Sequence, residues 1–364
     1  MSKTSPADTT RAWVDINLHA LVANARTIAD ASHARLLPMV KANGYGLGAV
    51  AVAGALESLN PWGYGVATVG EALALRGGGI ERPILVVSPL TAEALEATHE
   101  HQLRPSIGDP DLLRRWLARS NAPFHVEIDT GMSRAGLRWN DAVGLADAAA
   151  ALREAPGWEG IFTHFHSADT DPASVVTQWE RLASAMAALP ARKVLVHAAN
   201  SAASLCGPEY AADLVRPGIF LYGGSAGPGK PAPRPVAALR ARVVAVRRVG
   251  AGESVSYGAT WTAPRDTTIA TLGVGYADGM LRAADRDVAG LPREVELRGR
   301  RVPVVGRVTM DMTMLAVEDG QVAPGDVATV FGGLVSLDEQ AARAGTIAYE
   351  LLTSLSHRLP RRYQ

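Results

Sequence analysis

Cysteine is almost missing from this 364-residue chain, with Cys206 standing alone. One thiol excludes an internal disulfide framework and any cysteine-rich metal site, and it suits a reducing compartment. Charge of one sign is not in excess either: 36 basic residues are scattered among 36 acidic ones. No footprint for nucleic acid or an anionic membrane is visible, which leaves a small molecule as the expected partner. No apolar run is long enough to span a bilayer, and the opening "MSKTSPADTTR" has no apolar core of a secretory signal. A soluble, cytoplasmic protein is expected. Lysine is the last scarcity: Lys3, Lys41, Lys193 and Lys230 stand against 32 arginines. Where charge alone suffices, this chain uses arginine.

What is present points to a large core. Hydrophobic residues make up 48% of the chain, enough for one big domain or two. From residue 36 to about 223, short apolar runs alternate with longer amphipathic segments. The runs are "LLPMV", "GYGVAT", "PILVVS", "LRPSI", "FHVEID", "GIFTHF", "VLVHAA" and "LVRPGIF". Between them lie helical patterns such as "AVAVAGALESL", "DPDLLRRWLARS" and "PASVVTQWERLASAMAAL", several opened by residues suited to capping. This rhythm of βα units predicts an α/β fold with an N-terminal (β/α)8 barrel of the TIM type. "LRPSI" is the least strand-like run because of its proline. The Gly- and Pro-rich "GGSAGPGKPAPRPV" reads as a linker. After it, strand-like runs without long helices predict a mostly-β domain, closed by one helical segment from "LDEQAARAG" to "SLSHRL". The expected units are 12–232 and 233–364.

In a barrel of this kind the working residues stand at the C-terminal ends of the strands. Lys41 follows the first run, Asp129 and Arg134 the fifth, His164 ends the sixth, Asn200 and Ser201 follow the seventh, and Arg216 and Gly218 lie in the eighth. A lysine at a strand end ordinarily carries its charge out to solvent. In a chain that prefers arginine, a lysine between Val40 and Ala42 suggests that the amine itself is wanted, because it can lose its proton and form a Schiff base. The commonest reusable carbonyl partner is pyridoxal phosphate. Its phosphate would sit after strands seven and eight, where "HAANSAAS" and "RPGIFLYGG" supply Asn200, Ser201, Gly218 and open backbone. Asn and Ser before a helical run are, taken singly, ordinary N-caps.

"VKANGYGLG" resembles the cofactor-attachment signature of the alanine racemase family, as do "DTGMSRAG", "FTHF", "NSAA", "RPGIFLYG", "VSYGATWTA", "GYADG", "GRVTMDM", "AYELLTSL" and "RLPR", in that order. The resemblance implies a homodimer with shared sites that interconverts L- and D-alanine. It implies that Lys41 carries the cofactor and acts as one base, while Tyr257 of the partner subunit acts as the opposite one. Inversion at Cα needs a base on each face of a planar centre. His164 and Arg216 would belong to the relay around the tyrosine, and Arg216 would contact the pyridine nitrogen. A guanidinium does not readily give up a proton, which favours simple reprotonation over side reactions. Tyr45, Ser201, Gly218, Ile219 and Tyr349 would hold the phosphate. Arg134 would bind the substrate carboxylate or orient the tyrosine, helped by the amide of Met310 of the partner subunit, with Tyr276 and Asp311 near the mouth.

The chain also departs from the family pattern. Glu127 stands where many members have a lysine that becomes carbamylated; a glutamate supplies the same charge directly, and it is expected to pair with Arg134. Gly44 and Leu47 replace an alanine and a histidine, and His166 is additional, read as a solvated loop residue. A racemase for serine or a basic amino acid would share all this chemistry. A related decarboxylase would want a cysteine in the β domain, where Cys206 does not lie. A single-domain cofactor-binding protein would lack "VSYGATW" altogether.

Overall fold

The computed structural model describes residues 9–282, 292–318, 320 and 322–364. The first eight residues, which carry most of the segment read as lacking a secretory signal, lie outside that set. All eight runs expected of the barrel contain strands: Arg35–Leu36, Tyr64–Val66, Ile84–Val86, Arg104–Ile107, Phe124–Asp129, Trp158–Phe162, Leu195–His197 and Leu214–Val215. They pair in parallel from the second through the seventh, and the eighth pairs in parallel with the first. Backbone bonds close the two remaining seams. Arg216 donates to Ala199 at 2.8 Å and Val40 donates to Gly65 at 2.8 Å. Pro105 is tolerated because it is only the second residue of its strand, where little of the ladder is lost.

Alternation along each strand sorts the side chains. In Phe124–Asp129 the outward Phe124, Val126 and Ile128 join the main hydrophobic core beneath the helices. The intervening His125 and Glu127 point into the barrel and are buried. One layer of the interior is plugged by Leu37, Leu85 and Leu214 against Trp62. The helices obey their end signals: Asp109 and Asp171 cap Pro110–Arg119 and Pro172–Ala187 with side-chain hydrogen bonds, each with proline in the first turn.

The C-terminal half is a sheet ordered Arg300–Pro303, Glu294–Leu297, Val327–Phe331, Ala237–Val249, Ala12–Ile16, Arg361–Tyr363. The long strand Ala237–Val249 bends at a register shift between Val243 and Ala245, and beyond it pairs with Thr267–Leu272, which pairs with Thr313–Val317. Two differences from the sequence reading stand out. Ala12–Ile16, placed with the barrel by that reading, is a member of this second sheet. The closing helical segment divides into Leu337–Arg343 and Ala348–Thr353, because Gly345 at φ +73° ends the first helix. No helix among the described residues is long and apolar enough to cross a membrane.

Candidate active site

The chain leaves the first barrel strand at Lys41 through an unusual turn. Ala42, Asn43, Gly44 and Tyr45 take φ values of 52°, 53°, 62° and 53°, a single left-handed turn. Such a conformation costs roughly 1–2 kcal/mol for each residue with a Cβ, so it must be held from outside. Glu71 holds it by accepting from the Ala42 amide at 2.6 Å and the Ala67 amide at 2.8 Å. Asn43 accepts from the Ala49 amide at 3.0 Å. From the C-terminal strand, Arg361 donates twice to the Gly46 carbonyl, at 3.1 and 2.9 Å, and Tyr363 donates to the Leu47 carbonyl at 3.0 Å. Leu47 itself is wholly buried in the core. The turn fixes Lys41 as a half-buried amine. Burial and then Arg134 push its pKa below the usual lysine value, Glu71 pulls it back, and Arg216 lowers it further.

Beside the turn lies a cluster of hydroxyl and amide groups. Tyr45 is buried, stacked on Tyr222 with ring centroids 4.4 Å apart, and 6.0 Å from the ring of Tyr349. Gly218 is required there: a Cβ on it would stand 2.3 Å from the Tyr45 hydroxyl. Ser201 accepts from the amides of Gly218 at 2.8 Å and Phe220 at 3.4 Å, fixing the loop that follows strand eight. Asn200 caps the short helix Ser201–Ser204 by accepting from Ala203, and donates to the Phe165 carbonyl at 3.3 Å. The amides of Ser201 and Ile219 open their short helices and so have no acceptor within them. Burial, with Asp169 and Asp338, pushes the Tyr349 phenol up to about 12, so it stays a donor at neutral pH.

Arg216 is buried, and its charge is felt at Lys41. Its Nη1 donates to the His197 carbonyl and Nδ1, and its Nη2 to the carbonyls of Thr163 and Ala198 and to Nδ1 of His164 at 3.4 Å. The Nε–H has no acceptor among the described residues. A guanidinium only donates, so His164 accepts at Nδ1 and carries its proton on Nε2. Burial, Arg216, Arg134 and Lys41 together hold His164 down to about 3, a neutral imidazole at physiological pH.

Glu127 does not make the expected pair with Arg134. Its carboxylate faces the barrel interior and accepts from Ser106 on the adjacent strand at 3.1 Å, while Arg134 lies in the exposed loop beyond the strand end. Both still border one small cavity with Asp129 and His164, and the Arg134 charge is felt at Glu127. Burial nevertheless raises the Glu127 pKa overall. Asp129 accepts from the Gly131 and Ser133 amides and shapes that loop. His166 is exposed and bonded to Ser167 at 2.7 Å.

The remaining candidates lie in the second half of the chain. Tyr257 is 71% exposed and borders a groove with Arg247, Glu253, Thr309 and Met312 that includes none of the barrel candidates. Met310 and Tyr276 are exposed too, joined through the Ala277 amide and Met310 carbonyl at 3.0 Å. Asp311 is held by Arg358 at 2.8 Å and Arg11 at 3.1 Å.

Residues 16–226 match the alanine racemase N-terminal domain and residues 236–363 the alanine racemase C-terminal domain. The alanine racemase of Desulfovibrio desulfuricans is 39% identical over 96% of this chain and 97% of its own. The chain belongs to the alanine racemase family. Among solved members, the alanine racemase of Clostridium difficile 630 superposes with a TM-score of 0.90 at 30% identity, covering 98% of this chain and 96% of the other. That of Bartonella henselae, solved with covalently bound pyridoxal phosphate, gives 0.89 at 29% identity over 98% and 100%.

Sequence reasoning about this alanine racemase family member missed four residues that build the site: Glu71, Tyr222, His125 and His197. Glu71 and Tyr222 act on backbone atoms of the lysine segment, the latter donating to the Met39 carbonyl at 2.8 Å, and no motif announces such contacts. The histidines did leave a signal. Each sits inside a barrel strand, "FHVEID" and "VLVHAA", where an apolar residue is ordinary and a polar one needs a partner.

Proposed function

We propose that this protein is a pyridoxal-phosphate-dependent alanine racemase that works as a homodimer with shared sites. The observation that carries the reading is Lys41: a desolvated amine with a lowered pKa, fixed at the end of the first barrel strand within the field of Arg216. The residues fit the cofactor. Gly218 keeps the Tyr45 hydroxyl and the loop backbone in contact at the place a Cβ would fill, and the Ser201 and Ile219 amides and Tyr349 add donors for a phosphate. The Arg216 Nε–H is left over for the pyridine nitrogen. When bound, the cofactor supplies an electron sink that acidifies the substrate Cα–H.

The chain's own groups then have separable tasks. Lys41 in its neutral form takes or returns a proton on the D face. Tyr257 of the partner subunit serves the L face, with His164 and Arg216 beside it. Arg134, with the partner subunit's Met310 amide, holds the substrate carboxylate, and Tyr276 and Asp311 of the partner subunit line the mouth. Units spanning 12–232 and 233–364, with the strand Ala12–Ile16 of the first built into the sheet of the second, divide this labour, the first carrying the cofactor and the second completing the other subunit's site. Borohydride reduction followed by peptide mapping tests the attachment, with Lys41 the expected modified residue. A chiral assay over a panel of L-amino acids tests the substrate, with alanine the fastest. Label on another lysine, or a better serine or basic substrate, overturns the corresponding half of the reading.

A further inference from the structure

The buried face of Arg216 begins a chain of contacts that runs down the inside of the barrel. Nη1 of Arg216 lies 2.6 Å from Nδ1 of His197, Nε2 of His197 lies 2.8 Å from Nδ1 of His125, and Nε2 of His125 lies 3.2 Å from Oε2 of Glu159. That carboxylate also accepts from Arg104 at 3.3 Å. We propose that His197, His125 and Glu159 form a one-way hydrogen-bond relay that orients Arg216, with Glu159 as its distant anchor.

The direction of the relay follows from its two ends. Arg216 can only donate, so Nδ1 of His197 accepts and the ring proton sits on Nε2. That proton is given to Nδ1 of His125, whose own proton on Nε2 goes to the carboxylate. A second proton on either ring would set N–H against N–H, so both imidazoles are neutral. Both rings are fully buried, and burial lowers both pKa values. Burial alone would raise the Glu159 carboxyl, but His125 and Arg104 outweigh it and keep it ionised.

The surrounding sequence is shaped to the relay. A Cβ at residue 160 would stand 2.5 Å from Nδ1 of His125, so only glycine leaves the ring its place opposite His197. His197 is stacked on Phe162 at 4.8 Å and 8°, and His125 packs against Trp62 at 5.5 Å. Phe162 lies beneath the Arg216 guanidinium as well, 5.1 Å from its carbon. With Nη1 and Nη2 fixed by the relay and by three carbonyls, Nε–H is the donor left for a ligand. The relay itself stands apart from the cofactor; its effect on turnover rests on the function proposed above.

Selective 15N-histidine labelling of the full-length protein reads the tautomers directly. The expected result is a neutral Nε2–H form at both His125 and His197. In Glu159→Leu the tautomers should stay as they are, because Arg216 still sets them, but loss of the acceptor at the far end should weaken the bonds above it, read as a change in the 15N shift of His197 Nε2, and Glu159→Gln, which keeps an acceptor, should restore that shift. A merely structural role for Glu159 would leave the His197 shift unchanged. That outcome, or an imidazolium or Nδ1–H form in the parent protein, overturns the relay. Gly160→Ala breaks the chain at its middle without removing any polar group and should move the His197 Nε2 shift in the same direction. In the racemase assay both Glu159→Leu and Gly160→Ala should lower kcat about tenfold, the scale of one hydrogen bond, with KM nearly unchanged. Full turnover alongside an altered His197 shift overturns the orienting role alone. A parent protein that does not racemise alanine overturns the function and leaves the tautomer result standing.

Discussion

Gly44 shows how one residue carries a constraint that the attachment motif does not explain. It is the third of five consecutive left-handed residues, and a Cβ there would approach the Ala49 backbone to 3.1 Å. Where the family usually has alanine, glycine removes part of the strain of the turn. Gly44→Ala should therefore destabilise the protein by roughly 1–2 kcal/mol, read as a lowered urea midpoint at unchanged m-value. His164 makes a different prediction, about pH. Its folded value near 3 lies below the ordinary 6.5, so between those limits the unfolded chain binds a proton that the folded one does not. Stability from this group is complete above pH 6.5 and is lost as pH falls toward 3. Glu127 acts in the opposite sense: its raised value favours the folded state at low pH and that benefit fades as pH rises through it. In His164→Gln, unfolding free energies from urea titrations between pH 6 and 4 should lose a slope of about 1.4 kcal/mol per pH unit, one proton's worth.

At the scale of elements, the lysine turn and the C-terminal strand Arg361–Tyr363 behave as one piece. Arg361 reaches four carbonyls, those of Gly46, Ser356, Leu359 and Leu355, and the strand is otherwise a short parallel edge on Ala12–Ile16. Arg361→Ala leaves those acceptors behind, and hydrogen exchange should speed up at residues 42–48 while the barrel strands keep their protection. Arg361→Lys should not restore it, because one ammonium cannot span the fork that Arg361 makes. The barrel was legible in the sequence at this scale because each strand is bounded by turn residues and faced by an amphipathic helix. The strands Ala12–Ile16, Thr313–Val317 and Arg361–Tyr363 were not, since the partners that make them strands lie far along the chain. The site divides the same way. Lys41, Arg216, Ser201 and Gly218 announce themselves at strand ends, whereas Glu71, Tyr222 and the His125–His197 pair acquire meaning only when folding brings separate strands and loops together. Glu127 is the instructive miss: strand alternation already pointed it into the barrel, toward Ser106, and away from the loop that carries Arg134.

The whole molecule leaves its candidate bases apart. Lys41 sits at the barrel mouth, while Tyr257 projects from the second half of the chain, and Met310, Met312 and Tyr276 are exposed in that same half. Exposed apolar side chains of this size invite a cover, and in a two-fold assembly each chain's second half would complete the other's barrel. Mixing variants tests this without any structure. Neither Lys41→Ala nor Tyr257→Phe should racemise alanine alone, because every site in either homodimer lacks one base. When the two are unfolded together and refolded at equal amounts, about half of the dimers are mixed. In a mixed dimer one site contains both substitutions and the other contains neither. Activity should then return to about a quarter of the parent level, on the statistics of random pairing. If Tyr257 served the lysine of its own chain, each site would keep its original defect and the mixture would stay inactive.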